Sequence, residues 1–227
     1  QEHPEFEKFK GKNILLVGAG PTAEEIDWEN MNLDYDYIWT CNNFHKNNKL
    51  CSTQIDLALM GPTVDFKDSE LLMKLKKDET FCIFEGGCSP FRSGPELTEF
   101  KNIFPDKTSY FYLRYFSKIG SMPRLLCLAT ILGAKKVYFV GIDGYPGKLG
   151  DKYKHTFEGD KKDHDGRIFS YDLHRRQYVL LWEYLLGLNT ETEYQNLGEG
   201  HSSNLSTDIT QKPVSYTHLR AHETDSY

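Results

Sequence analysis

The 227-residue chain alternates short apolar runs with longer amphipathic or polar stretches. The runs at Asn13–Val17, Tyr35–Thr40, Gln54–Met60, Thr80–Phe84, Lys136–Gly141 and Glu193–Leu197 predict β-strands. An extended aromatic piece, Tyr110–Phe116, reads either as an edge strand or as part of a lid. Helices are expected directly after Pro21, at Lys67–Lys77, at Ser121–Leu132 and at Asp172–Leu188. The last of these carries Leu173, Leu180, Leu181, Tyr184 and Leu188 on one face. Ser170 or Asp172 can cap it, and Gly187 and Asn189 end it. Strands alternating with helices predict an α/β chain built on a single doubly wound, mostly parallel, Rossmann-like sheet.

No internal repeat and no long polar linker divides residues 1–213, which read as a single domain. The stretch Pro146–Phe169 differs in texture, being polar, charged and dotted with glycine. It follows the carboxyl end of a strand, where open α/β sheets bind ligands, and so is expected to form a lid over about residues 146–169. Val214–Tyr227 reads as the translation of a sequencing adapter and is set aside as a disordered, non-native tail, with His218 and His222. That tail and the missing initiator Met together suggest a fragment, with room for native sequence past Pro213.

The junction from Ile14-Leu15-Leu16-Val17 into Gly18-Ala19-Gly20-Pro21-Thr22 carries the sharpest chemical signal. A buried strand turns on two glycines, and Pro21 stands where a helix opens and needs no N–H. The free amides and positive dipole of that helix end favour phosphate. The same turn also occurs as a purely structural βα connection.

Composition narrows the choices. Aromatic residues make up 14% of the chain, which favours a packed globule over disorder. A formal charge of −6 leaves no basic footprint for nucleic acid or an anionic membrane. No apolar run reaches the roughly 18 residues of a membrane span. The five cysteines, Cys41, Cys51, Cys82, Cys88 and Cys127, show no C-x-x-C pairing, which favours a reduced, cytoplasmic setting and no zinc site. Asp160-Lys-Lys-Asp163-His-Asp165-Gly166 lacks the spacing of a calcium loop and reads as solvated.

Gly18-x-Gly20-x-x-Ala23 fits a dinucleotide fingerprint. The second strand, however, ends in Thr40-Cys41-Asn42-Asn43, with amides where a ribose-binding carboxylate belongs. Pro21 is also uncommon in that motif.

The same residues carry a resemblance. Gly18-Ala-Gly-Pro-Thr22 with Glu25-Ile26-Asp27, followed by Cys41-Asn42-Asn43-Phe44, resembles the N-terminal half of the bacterial sialyltransferases of glycosyltransferase family 42. Lys118-Ile-Gly-Ser121 through Gly141-Ile-Asp143-Gly-Tyr145 is similar to that family's second block. A related group, the archaeal-type pterin diphosphokinase-like proteins, shares a G-x-G-P-S loop and a similar helix–strand block.

The family resemblance implies a GT-A-like variant of the fold and a metal-independent transfer without a cofactor. A sugar of sialic acid type would move from a CMP-linked donor to a glycan acceptor, in a setting such as bacterial lipooligosaccharide biosynthesis. It also implies roles for particular residues. Gly18, Ala19, Gly20, Pro21 and Thr22 would cradle the donor phosphate. Asn42 would offer an amide, or else form only a strand-end turn. Ser121 would contact the donor sugar or simply cap its helix. Lys118 stands at an arginine position and would meet a donor carboxylate without the bidentate fork. Asp143 and Gly144 would complete the nucleotide-sugar site.

Tyr145, with Tyr153 two residues off the family spacing, would hydrogen-bond the leaving phosphate, stabilising charge without a metal. His174, in the first turn of the last expected helix, is the leading base, with His164 and His155 as alternatives. Ala19, Met60-Gly61-Pro62-Thr63 and Gly120 depart from the family pattern at positions that touch the donor. Two other readings therefore remain, a Mg-ATP phosphotransferase of the pterin diphosphokinase type and a non-catalytic nucleotide-binding relative. A fuller-length protein of this family would be membrane-peripheral, and the oligomeric state is open.

Overall fold

The computed structural model describes residues 4–62, 64–85, 94–113, 120–143, 152–153, 155–157, 161–162, 180–188 and 190–198. A one-turn helix, α1 (Pro4–Glu7), leads into β1 (Asn13–Val17), and α2 (Thr22–Glu25) and β2 (Tyr37–Cys41) follow. Next come β3 (Leu57–Leu59), α3 (Ser69–Asp78), β4 (Phe81–Glu85), α4 (Gly94–Ile103) and β5 (Thr108–Phe111). The chain continues through α5 (Ser121–Ile131), β6 (Lys136–Val140), β7 (Lys152–Tyr153) and β8 (Lys161–Lys162). It closes with α6, over residues 180–187, and β9 (Glu193–Asn196).

Seven strands form one sheet in the order β5-β4-β3-β2-β1-β6-β9, and every neighbouring pair is parallel. The sheet is α/β as expected, and all-parallel rather than mostly so. β1 explains its own place in the interior of the sheet. All five of its residues are buried, the pattern of a strand covered on both faces. From β1 the chain steps outward through β2, β3, β4 and β5, then returns through α5 to β6 on the other side of β1. That reversal between β1 and β6 is a topological switch point, and crevices for ligands open there at the carboxyl ends of the strands.

Several expected boundaries shift. β2 starts at Tyr37 and β3 contracts to Leu57–Leu59, because the flanking polar residues bond across loops. Asp56 receives the Ile38 N–H at 2.8 Å, for example. Of the aromatic piece expected at Tyr110–Phe116, Tyr110 and Phe111 end an edge strand that begins at Thr108, Tyr112 and Leu113 lie past it, and residues 114–116 fall outside the described residues. The helix after Pro21 lasts one turn, since Ile26 is already extended at φ −86°, ψ 131°. Of the helix expected at Asp172–Leu188, residues 180–187 are described and helical.

α4 was not anticipated. It buries Phe100 against Phe66 and Phe84, with ring centroids at 4.6 and 5.8 Å. On the other side, Phe9 meets the edges of Tyr37 and Trp39 at 5.0 and 4.8 Å. Burying side chains such as Leu15, Leu16 and Leu57 contributes about 1.5–3 kcal/mol each. Among the described residues no helix is long and apolar enough to cross a membrane.

Candidate functional site

The loop after β1 is held by close backbone approach. Gly18 N–H donates to Val140 O at 2.8 Å and Gly20 N–H to Gly141 O at 2.9 Å. A Cβ on Gly18 would collide with the Gly141 carbonyl oxygen, and one on Gly141 would lie 2.6 Å from Gly18 O. Gly141 also has φ +69°, in the region that favours glycine.

Asp143 occupies the start of α2. Its Oδ2 accepts the Thr22 N–H at 2.9 Å, and its Oδ1 accepts the Thr22 hydroxyl. The same hydroxyl oxygen accepts the Gly141 N–H at 3.0 Å. Gly20 leaves room for this carboxylate, since a Cβ there would strike Asp143 Oδ2. Burial pushes the Asp143 carboxyl up, the two Thr22 hydrogen bonds pull it down and Glu25 pushes it up again; the net direction is upward. The amides of Gly20 and Thr22, expected from the sequence to face an anion, thus already have protein acceptors. A carboxylate of the chain itself sits where the phosphate was placed.

A second cluster lies across the ends of β2 and β3. Asn42 adopts φ 51°, so its side chain folds back over the strand ends. Its Oδ1 accepts the Gly61 N–H at 2.8 Å, and its Nδ2 reaches Ser121 Oγ at 3.4 Å. A Cβ on Gly61 would lie 3.0 Å from Asn42 Oδ1, which accounts for glycine in the loop after β3. Ser121 opens α5, whose N-cap is Gly120 at φ 94°, a residue with no side chain to cap the helix. The next residue, Met122, packs its Cγ 3.1 Å from where a Gly18 Cβ would be. Arg124 pairs with Glu85 at the end of β4. One turn of α5 therefore touches the carboxyl ends of β1, β2, β3 and β4.

The polar stretch expected as a lid contributes the antiparallel pair β7–β8, with Lys152 opposite Lys162 and Tyr153 opposite Lys161. Just beyond β7 the chain docks on the glycine loop. Thr156 N–H and Thr156 Oγ1 both reach Ala19 O, at 2.9 and 3.2 Å. Phe157 is 1% exposed, and His155 meets its ring edge-on at 5.9 Å.

The structure thus brings Gly18, Ala19, Gly20, Pro21, Thr22 and Asp143 together beside Ser121 and Asn42. Tyr153 enters through the backbone of β7 alone. Lys118, Gly144, Tyr145, His164 and His174 lie outside the described residues. Four participants went unread in the sequence: Glu85, Arg124, Thr156 and His45. His45 Nε2 sits 3.0 Å from Asp68 Oδ2 and joins the turn after β2 to the cap of α3.

No protein-family model and no curated protein matches the sequence. Solved structures do. The fold is shared with sialyltransferases of Campylobacter jejuni. The monofunctional α-2,3-sialyltransferase Cst-I of that organism is 21% identical with a TM-score of 0.54, covering 86% of this chain and 78% of its own. The C. jejuni sialyltransferase CstII, solved with the substrate analogue CMP-3FNeuAc, is 18% identical with a TM-score of 0.53, and 81% of each chain is covered. CST-II in complex with a trisaccharide acceptor and CMP aligns at 16% identity and a TM-score of 0.51. Identity this low establishes shared architecture: a parallel sheet flanked by helices.

Proposed function

We propose that this protein is a glycosyltransferase that moves a sugar of sialic acid type from a CMP-linked donor to a hydroxyl of a glycan acceptor. The observation that carries the reading is the meeting of Asn42, Gly61 and the uncapped start of α5 beside the Gly18–Thr22 loop. It occurs at the strand ends of a fold shared with CMP-bound sialyltransferases.

In this reading the α5 amides, Ser121 and Asn42 face the donor's oxyanions, since the α2 start is taken by Asp143. Gly18, Ala19, Gly20, Pro21, Thr22 and Gly144 form the wall against the nucleotide, and Asp143 keeps that wall in shape. Lys118 adds positive charge. The acceptor oxygen attacks the anomeric carbon while the bond from that carbon to the phosphate oxygen breaks. The acceptor proton passes to a histidine, His174 in the first instance and His164 or His155 otherwise. The phosphate leaves with the bonding electrons, and hydroxyls of Tyr145 and Tyr153 stabilise the charge it gains, without a metal. Thr156, bonded to Ala19, helps keep water from the glycine loop in this reading. The buried thiols of Cys82 and Cys127 suit a reducing cytoplasm, and burial pushes the Cys127 thiol up to about 12.

The test is direct. Purified protein is incubated with CMP-linked sialic acid, a galactose-terminated oligosaccharide and EDTA, and release of CMP is followed with formation of the extended glycan. Transfer that tolerates EDTA and falls at least a hundredfold in Tyr145→Phe supports the reading. Turnover only with Mg-ATP and a pterin would replace it with the phosphotransferase.

A further inference from the structure

α5 breaks a local rule at its first turn. The positive end of a helix dipole favours acidic residues there, yet this turn carries no acidic residue and places a cation, Arg124, one turn after the cap. The guanidinium is held in place. Its Nε lies against Glu85 Oε2 at the carboxyl end of β4, and its Nη1 donates to Gly120 O at 2.8 Å. Only 14% of the Arg124 side chain and 12% of the Glu85 side chain is exposed. A pair this buried adds little net stability, because losing water around two charges offsets most of their attraction. Packing alone therefore gives weak reason to keep a cation at this helix end. A place beside the donor site proposed above gives a stronger one: Arg124 shares its turn with Ser121, which contacts Asn42 at the carboxyl end of β2.

We propose that Arg124 is a specificity-determining residue of the donor site. Its planar fork pairs with an oxyanion of the bound donor, either the sugar carboxylate or the phosphate, and Glu85 balances its charge when no donor is present. The inference rests on the donor reading given above.

The experiment titrates CMP and a non-transferable CMP-linked acidic sugar into wild type, Arg124→Gln, Arg124→Lys and Glu85→Gln by calorimetry, after each variant's melting curve is recorded. Arg124→Gln is expected to weaken binding at least tenfold and Arg124→Lys less, whereas Glu85→Gln tightens it severalfold. A loss confined to the sugar-bearing ligand assigns the guanidinium to the carboxylate, and an equal loss for CMP assigns it to the phosphate. A folded Arg124→Gln that binds both ligands like wild type overturns the inference. So does a Glu85→Gln that weakens binding alongside it. If Arg124→Gln fails to fold, the opposite signs required of Arg124→Lys and Glu85→Gln decide the matter. Wild-type protein that binds neither ligand overturns the donor reading itself, and the inference falls with it.

Discussion

Thr22 and Asp143, 121 residues apart in the chain, are joined by two hydrogen bonds, one from the Thr22 N–H and one from its hydroxyl. The contact ties the first βα turn to the loop after β6, on the far side of the switch point. Asp143→Ala strips the acceptor from both Thr22 donors. The expected loss of stability is about 1–3 kcal/mol, read by chemical denaturation, because a buried donor left without a partner costs that much.

The pH dependence of this contact has a definite sign. The folded-state pKa of Asp143 is raised above its ordinary value, mainly by burial. The native state therefore holds the proton more tightly than the unfolded chain. The resulting stability is complete below the unfolded pKa and is lost as pH rises through the folded one. Wild type should gain on Asp143→Asn as pH falls from neutral towards 4. Asp68 runs the other way. Burial pushes it up, but the Leu71 and Glu70 N–H groups and His45 more than reverse that, so its pKa is lowered. Its contribution is present above the unfolded pKa and lost as pH falls through the folded one, and Asp68→Asn should close the gap to wild type on acidification.

Gly18 and Gly141 have no room for a side chain. Gly18→Ala and Gly141→Ala should each destabilise by about 1–3 kcal/mol or more through overpacking, with Gly141 adding backbone strain from its positive φ. Melting temperatures of the two variants against Gly94→Ala, which meets nothing within 4 Å, provide the comparison.

Lys74 and Asp78 form a second buried pair, 2.6 Å apart with 7% and 3% of their side chains exposed. Lys74 Nζ also donates to Thr53 O, and Asp78 Oδ2 accepts the Ile55 N–H, so the pair anchors the loop before β3 to α3. Lys74→Met leaves a buried carboxylate alone and should cost about 3–5 kcal/mol. Lys74→Met combined with Asp78→Leu should cost less than the two singles added together, as a double-mutant cycle would show.

Much of this architecture was legible in advance. β1, β6 and β9 fall within a residue of their expected bounds; β1 and β6 do so because apolar runs bounded by glycine or polar residues have few other solutions. The glycine loop was legible as a tight turn. Its role as a phosphate cradle was not testable from periodicity, because Asp143, the competing acceptor, lies on a strand end far along the chain. α4 was missed although Gly94-Pro95-Glu96 is a sound helix start and Leu97, Phe100 and Ile103 recur at helical spacing, of which Phe100 alone is buried. Thr156 carries no pattern at all; its two bonds to Ala19 arise only once the chain has folded back.

Thr156 gives a functional prediction. Thr156→Pro removes both bonds to Ala19 and Thr156→Val only the hydroxyl one, worth about 0.5–1.5 kcal/mol. Cleavage by a protease within residues 146–169 should speed up in Thr156→Pro well beyond Thr156→Val. Donor KM should rise in the same order.

The most direct measurement is the thermal melting of wild-type protein with CMP, with and without EDTA, beside UDP, NAD and Mg-ATP. A rise in melting temperature with CMP that survives EDTA and exceeds that from the other nucleotides is the predicted result. No shift with CMP, or one seen with Mg-ATP alone, would contradict a CMP-linked donor seated at the start of α5.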